Sequence, residues 1–175
     1  MEAEHVPPGS EGLLFLPYLA GERTPHADPY ARGVFFGLSL KHGKQHMVRA
    51  VLEGVCYGLR DSLEIMKELG IEPKEVRVLG GGARSPLWRR ILADAFACDV
   101  YTMEVDEGSS FGAAILASVG TRAYGTVRDA VKSMVRRGEE VKYDPRNSVI
   151  YERYYRLYAS LYPALKEYFR KLAEI

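Results

Sequence analysis

The chain has 175 residues, enough to bury the core of one domain. Its 24 basic and 23 acidic side chains nearly cancel, which argues against a nucleic-acid or membrane-surface partner. No apolar run approaches the roughly 18 residues of a membrane span, and the opening MEAEHVPPGSEG lacks a signal-peptide pattern, so a soluble, cytoplasmic chain is expected.

Residues 1–12 read as a polar tail or linker end around Pro7-Pro8-Gly9. LLFLPYL (13–19) is a short buried strand interrupted by Pro17. AGERTPHADPYARG (20–33) is a long, turn-rich and charged loop, of a kind that often carries function. GVFFGLSL (33–40) reads as a strand. The strongest helix signal runs from about Lys44 to Leu69, with Met47, Val48, Val51, Val55, Leu59, Leu63 and Met66 on one stripe and Gly70 as its stop. Gly54 and Gly58 lie one turn apart on that helix, where missing side chains would admit a closely packed neighbour. Cys56 and Cys98 lie in apolar patterns without metal-type spacing and read as buried, unpaired thiols.

VRVLGGGARSPLWRRILADAFA (76–97) is a β-branched run, three glycines and an amphipathic run. Ser85 and Pro86 suit an N-cap and a first helical position. Such a loop lets backbone N–H groups meet an anion at a helix N-terminus, or it serves only as a tight turn. No Gly-Lys-Ser/Thr follows, and Ser85 stands where G-x-G-x-x-G needs its third glycine, so any nucleotide would be gripped by backbone and shape. A second unit repeats the plan, with VYTMEV (100–105) as strand, DEGS (106–109) as loop with Ser109 as a candidate N-cap, and a small-residue helix over 109–119. A helix from Val127 to Arg137, a DPRN turn at 144–147 and an aromatic-striped terminal helix complete the chain. The tyrosines of that last helix are either a stacking surface or packing with a wet edge.

Strands alternating with helices predict an α/β domain with a largely parallel sheet, and ligands at the carboxyl ends of its strands. Val51, Val55, Leu59, Val78, Leu92, Phe96, Ala113 and Leu116 are the residues expected to point inward.

Several motifs occur in a fixed order. GVFFGLSLKHGKQHMVRAVLE (33–53) resembles the C-terminal signature of the FGGY carbohydrate kinases, FLPYLAGERTP its preceding segment in xylulokinase-like form, and LGGGARSPLWRRILADAF their adenosine loop. GAAILASVG and LYPALKEYF are similar to that family's last sheet-packing and terminal helices, so the resemblance runs from about Gly12 to the C-terminus. It implies an actin-like, ribonuclease-H-like fold, of which residues 13–175 would be the C-terminal, nucleotide-binding part, incomplete at its first strands. It implies ATP with Mg as cofactor, with no identifiable Mg ligand in this chain. Gly81 and Gly82 would lie against the nucleotide, Ser85 would contact adenosine, and Glu22 and Arg23 would face the interdomain cleft or form a loop-holding ion pair. The sugar domain, with the family's catalytic aspartate, lies outside this chain, as does the phosphate-binding turn. No catalytic residue is therefore assigned, and the isolated chain is expected to be inactive. Implied partners are the nucleotide, a separate sugar-domain chain, and a second copy through an open sheet edge. A stand-alone nucleotide-binding or self-associating module is the alternative. Asp28 has the only plausible view of a sugar, in an expected mobile loop; Asp94 and Asp99 read as surface or capping groups, and Asp106 and Glu107 as ligand-edge residues.

Overall fold

Two short antiparallel strands open the fold in the computed structural model, which describes residues 2–106 and 108–175. Strand β1 (Leu14–Leu16) is buried throughout and pairs with β2 (Val34–Phe36), Leu14 opposite Phe36. β1 ends before Pro17, which has no N–H to extend the ladder. β2 is shorter than its apolar run because the chain turns at Gly37, where φ is +89°.

Helix α1 (Lys44–Glu68) crosses beneath β1. A Cβ on Gly54 would overlap the Phe15 carbonyl, and one on Gly58 would sit 3.4 Å from the Tyr158 hydroxyl, so both glycines admit close neighbours as their spacing suggested. The chain continues as β3 (Val76–Val78), α2 (Pro86–Phe96) and β4 (Val100–Met103), with β3 and β4 parallel and Val76 opposite Val100. Helices α3 (Gly108–Gly120) and α4 (Val127–Met134) pack on each other and lead to β5 (Arg137–Val141) and α5 (Pro145–Ala173).

The main core lies between β1, α1, α2 and α5, with Leu16, Tyr57, Ile91, Leu92, Tyr158 and Tyr162 among its buried members. Alternation along the strands points Val76 and Val78 toward this core and Arg77, Leu79 and Met103 toward α3. The sheet order is β3-β4-β5, and among the described residues β3 is paired along one edge only. No helix among them is long and apolar enough to cross a membrane.

Five expectations need correction. Residues 2–12 are not a loose tail: Ala3 and Val6 are buried, the Gly9 N–H donates to Glu53 Oε1 (3.0 Å), and Ser10 Oγ donates to the His46 carbonyl (2.7 Å). Glu53, a buried carboxylate on α1, also accepts from Arg49 Nε (2.7 Å) and the Tyr151 hydroxyl (3.0 Å). The helix expected to Arg137 stops at Met134, and residues 137–141 form β5 antiparallel to β4, so the sheet is mixed. Ser109 lies inside α3, which starts at Gly108, and is not its cap. Cys98 is only half-buried, whereas Cys56 is fully buried; neither is paired. Of the eight residues expected to point inward, Leu92 and Phe96 are buried, and Val51, Val55 and Val78 half-buried. Leu59 (46% exposed), Ala113 and Leu116 (62% exposed) face outward. Leu59 overhangs the unpaired edge of β3, in a groove of about 560 Å³ shared with Leu63, Met66, Val76, Trp88 and Phe96.

Candidate functional site

Because β3 and β4 are parallel, the loops that leave them lie at the same edge of the sheet. The first is the glycine loop. After β3 the backbone turns at Gly80 (φ 82°, ψ −173°), a conformation open essentially to glycine alone. Gly81–Arg84 then forms one 3₁₀ turn, closed by hydrogen bonds from the Ala83 N–H to the Gly80 carbonyl (3.0 Å) and from the Ser85 N–H to the Gly82 carbonyl (3.1 Å). Ser85 Oγ accepts the Trp88 N–H at 3.3 Å and caps α2, with Pro86 at the first helical position as the sequence indicated.

The loop is braced from below and from the side. Trp88 lies under Gly82 and donates Nε1–H to the Leu52 carbonyl on α1 (3.3 Å). Buried Arg89 donates Nη1–H to the Ala83 carbonyl (2.7 Å) and pairs with Glu139 of β5 (2.6 Å). From the segment after β4, Asp106 Oδ1 accepts the Gly80 N–H at 2.6 Å, and Oδ2 accepts Arg84 Nε–H at 3.0 Å. These hydrogen bonds, the Gly80 amide first and Arg84 second, hold the Asp106 carboxyl below its usual range. Glu107, named beside Asp106 as a ligand-edge residue, lies outside the described residues.

The three glycines differ in what the fold asks of them. Gly80 is fixed by its positive φ. Gly82 is fixed by packing, since a Cβ there would stand 2.5 Å from Trp88 Cζ3. Substituting Gly82 therefore disturbs the packing of the fold as well as any approach of a ligand. Gly81 has neither constraint: its φ is not positive, and a Cβ would meet nothing within 4 Å. It borders open space over the N-terminal end of α2.

The other expected site residues lie elsewhere. Glu22 turns back into its own loop, Oε1 accepting the Thr24 N–H (2.7 Å) and Oε2 the His26 N–H (2.8 Å). Its backbone pairs reciprocally with Asp28 at 2.8 Å. Arg23 joins Glu22 along a separate groove, with Ala20 and Pro29 in its wall. Among the described residues no hydrogen bond or ion pair links this loop to the glycine loop.

Asp28 is not free to face a sugar. It is buried, and it accepts the Tyr162 hydroxyl and the Tyr30 N–H, each at 2.8 Å. Burial pushes its carboxyl up, but those two donors together with the Lys166 and Arg170 charges hold it below the ordinary value. The His26 ring stacks on Tyr162 with centroids 3.6 Å apart. Asp94 is buried, not at the surface, and it accepts the Asp144 N–H (2.7 Å) and Asn147 Nδ2–H (2.9 Å), bracing the first turn of α5, whose cap is Asp144 itself. Asp99 accepts the Tyr143 N–H at 3.3 Å. The Asp106–Arg84 bridge had no signal in the sequence, because its partners are 22 residues apart and meet only through the parallel β3–β4 pairing.

Among the described residues no three His, Cys, Asp or Glu side chains gather in a metal-ligating arrangement. The site thus has a glycine loop at the N-terminus of α2, open space beside Gly81 and the Asp106 carboxylate held against the loop.

Comparison with known proteins places this geometry in context. Residues 1–121 match the family model described as the FGGY family of carbohydrate kinases, C-terminal domain. Xylulose kinase of Staphylococcus epidermidis is 42% identical over 159 residues, which are 91% of this chain and 32% of that protein. Among solved structures, a ligand-bound xylulose kinase from Lactobacillus acidophilus superposes with a TM-score of 0.91 at 29% identity, over 98% of this chain and 35% of that one. Gluconate kinase of the same organism gives a TM-score of 0.90 at 29% identity, with the same coverage. The chain thus spans about a third of the length of the relatives it matches. Its architecture is the α/β, actin-like ATPase fold of these sugar kinases, of which it forms part of the larger domain. The chain belongs to the FGGY family of carbohydrate kinases and carries sequence of their C-terminal domain.

Proposed function

We propose that this chain forms the nucleotide-holding part of an ATP-dependent carbohydrate kinase whose acceptor is a pentulose such as xylulose. The observation that carries the reading is Gly81. The fold accounts for Gly80 by its φ and for Gly82 by Trp88, but nothing within 4 Å requires a glycine at position 81. A residue kept bare toward open space, at the carboxyl edge of a parallel sheet and the mouth of a helix, suits close approach of a ligand to the backbone. The residues present therefore fit a nucleotide. Among the described residues no three His, Cys, Asp or Glu side chains gather to hold its Mg ion, and no residue is assigned to the metal.

In this reading Gly81 and Gly82 present backbone to the nucleotide, and the N-terminus of α2 favours its negative charge. Ser85 keeps its Oγ lone pair on the Trp88 amide, leaving its hydroxyl proton for adenosine. Glu22, with both carboxylate oxygens on amides of its own loop, and Arg23 beside it would border the interdomain cleft through that loop. The acceptor is less sharply indicated, because the relatives include both xylulose and gluconate kinases. Phosphorylation of a panel of pentuloses and aldonic acids, measured with the sugar-binding part present, decides between them; a preference for gluconate would overturn the pentulose reading.

Titration with MgADP tests the nucleotide site. Gly81→Val should weaken binding about tenfold or more with an unchanged thermal midpoint, because a side chain would fill the space a ligand needs. Unchanged affinity would overturn the reading. A second reading, a self-associating module, draws on the unpaired edge of β3 and the apolar groove beside it. In the kinase reading that edge is covered by the remainder of the enzyme, or by a second copy when the chain is alone. A strictly monomeric, stable chain in sedimentation would count against the self-association part.

A further inference from the structure

Asp106 connects both ends of the glycine loop. Its Oδ1 takes the N–H of Gly80, the first residue of the turn, at 2.6 Å. Its Oδ2 accepts Nε–H of Arg84, the last residue of the turn, at 3.0 Å, and lies 3.0 Å from Nη2 of the same guanidinium in an ion pair. The carboxylate arrives from the next strand–loop–helix unit, 26 residues on from Gly80, so it ties two segments that the sheet merely sets side by side. Gly80 needs such a restraint. With φ at 82° and ψ at −173° it occupies a region that glycine alone visits freely, and it has no Cβ to confine it there. The opposite side of the turn is already fixed, by Arg89 on the Ala83 carbonyl and by Trp88 beneath Gly82. What those contacts leave unbraced is the entry to the turn, the Leu79–Gly80 peptide, next to the open space at Gly80 and Gly81.

We infer that Asp106 is a positioning residue for the glycine loop: through the Gly80 N–H it fixes the Leu79–Gly80 peptide that leads into the turn, and through its ion pair it fixes the Arg84 side chain, so that Gly81 is presented to the nucleotide without Asp106 touching the nucleotide itself. This rests on the nucleotide reading of Gly81. Arg84, 77% exposed in its side chain, is by the same bridge held as a fixed cation at the rim of the site. The carboxylate, kept ionised by its two donors, maintains the bridge throughout the neutral range.

The test uses the whole 175-residue chain, MgADP as the probe, and Asp106→Ala, Asp106→Asn and Gly81→Val variants. Asp106→Ala should speed hydrogen exchange at the Gly80 amide about tenfold and weaken MgADP by about the same factor, as expected for losing hydrogen bonds to a charged group. Its thermal midpoint should move by less than about 2 °C, because the bridge is at the surface. Asp106→Asn keeps an acceptor for Gly80 and should recover most of the slow exchange. Wild-type exchange at Gly80 in Asp106→Ala would overturn the inference. So would wild-type MgADP affinity in Asp106→Ala when Gly81→Val abolishes binding, or accelerated exchange spread evenly over β3 and β4, which would mark a purely structural role. If Gly81→Val leaves MgADP affinity unchanged, or the wild type binds none, the nucleotide reading of this chain fails, and Gly80 exchange still decides whether Asp106 sets the loop.

Discussion

A Cβ added at Gly82 would stand 2.5 Å from the Trp88 ring, whereas one added at Gly81 would meet nothing within 4 Å. Neighbouring glycines should therefore respond oppositely to the same change. Gly82→Val must displace the single tryptophan from its place on α1, costing about 1–3 kcal/mol as an overpacked site does, with a visible change in tryptophan emission. Gly81→Val should leave stability within about 0.5 kcal/mol, as a surface change does, and act on ligand binding alone. Chemical denaturation of the two variants checks the pair; equal losses would show that the loop is crowded at both positions. The sequence marked this stretch as a loop against a helix, and Ser85 and Pro86 marked where the helix begins. It could not rank the glycines, because what separates them is the direction in which an absent Cβ would point.

The terminal helix shows the same limit one scale up. Its tyrosines could be read as a stacking surface or as packing, and the structure decides for packing with hydroxyls placed on partners in other elements. Tyr151 donates to Glu53, Tyr155 to Asp61, Tyr158 to Tyr18 and Tyr162 to Asp28, at 2.8–3.2 Å. Those spacings of three and four residues form one stripe of α5 laid over α1, β1 and the 20–33 loop. Strand β5 was invisible for a different reason: RGEEV is mostly exposed and carries no apolar alternation, and only its antiparallel partner β4 makes it a strand. The end of α2 carries an adjustable fault. Ala97 closes the helix at φ 50° and ψ 42°, a left-handed conformation that costs a residue with a Cβ about 1–2 kcal/mol. Gly there would relieve that strain but add freedom to the unfolded chain, so Ala97→Gly should stabilise by about 0.5–1 kcal/mol. A lower midpoint in urea for Ala97→Gly would show that packing of the Ala97 methyl outweighs its strain.

For the molecule as a whole, the apolar stripe that did not become core is as informative as the part that did. Leu59 and Met66 on α1 continue the spacing of buried Leu63, yet they overhang the unpaired edge of β3, and Leu116 on α3 faces outward. The helical period was legible in sequence; the partner of each face was not, because a stripe does not say what covers it. On the kinase reading, the remainder of the enzyme does, and it also brings the sugar. We therefore expect the purified chain to transfer no phosphoryl group from ATP to xylulose. Transfer requires a carboxylate within hydrogen-bond reach of the acceptor hydroxyl and the γ-phosphate in line with it. Three loop carboxylates are already committed: Glu22 to the Thr24 and His26 amides, Asp28 to Tyr162 and Tyr30, and Asp106 to Gly80 and Arg84. Asp94 and Asp99 hold the segment that leads into α5. Freeing any of them to act as a base would break the contacts that shape its own loop. A well-placed base contributes about 10²–10⁴-fold, and positioning supplies much of the rest, which needs the sugar-binding part. A coupled assay with the pure chain, ATP, Mg and xylulose should stay at background, and activity should appear when the remainder of a xylulose kinase is added. Turnover by the pure chain that disappears in Asp28→Asn would show that the Tyr162-bound carboxylate can leave its partner and take the hydroxyl proton.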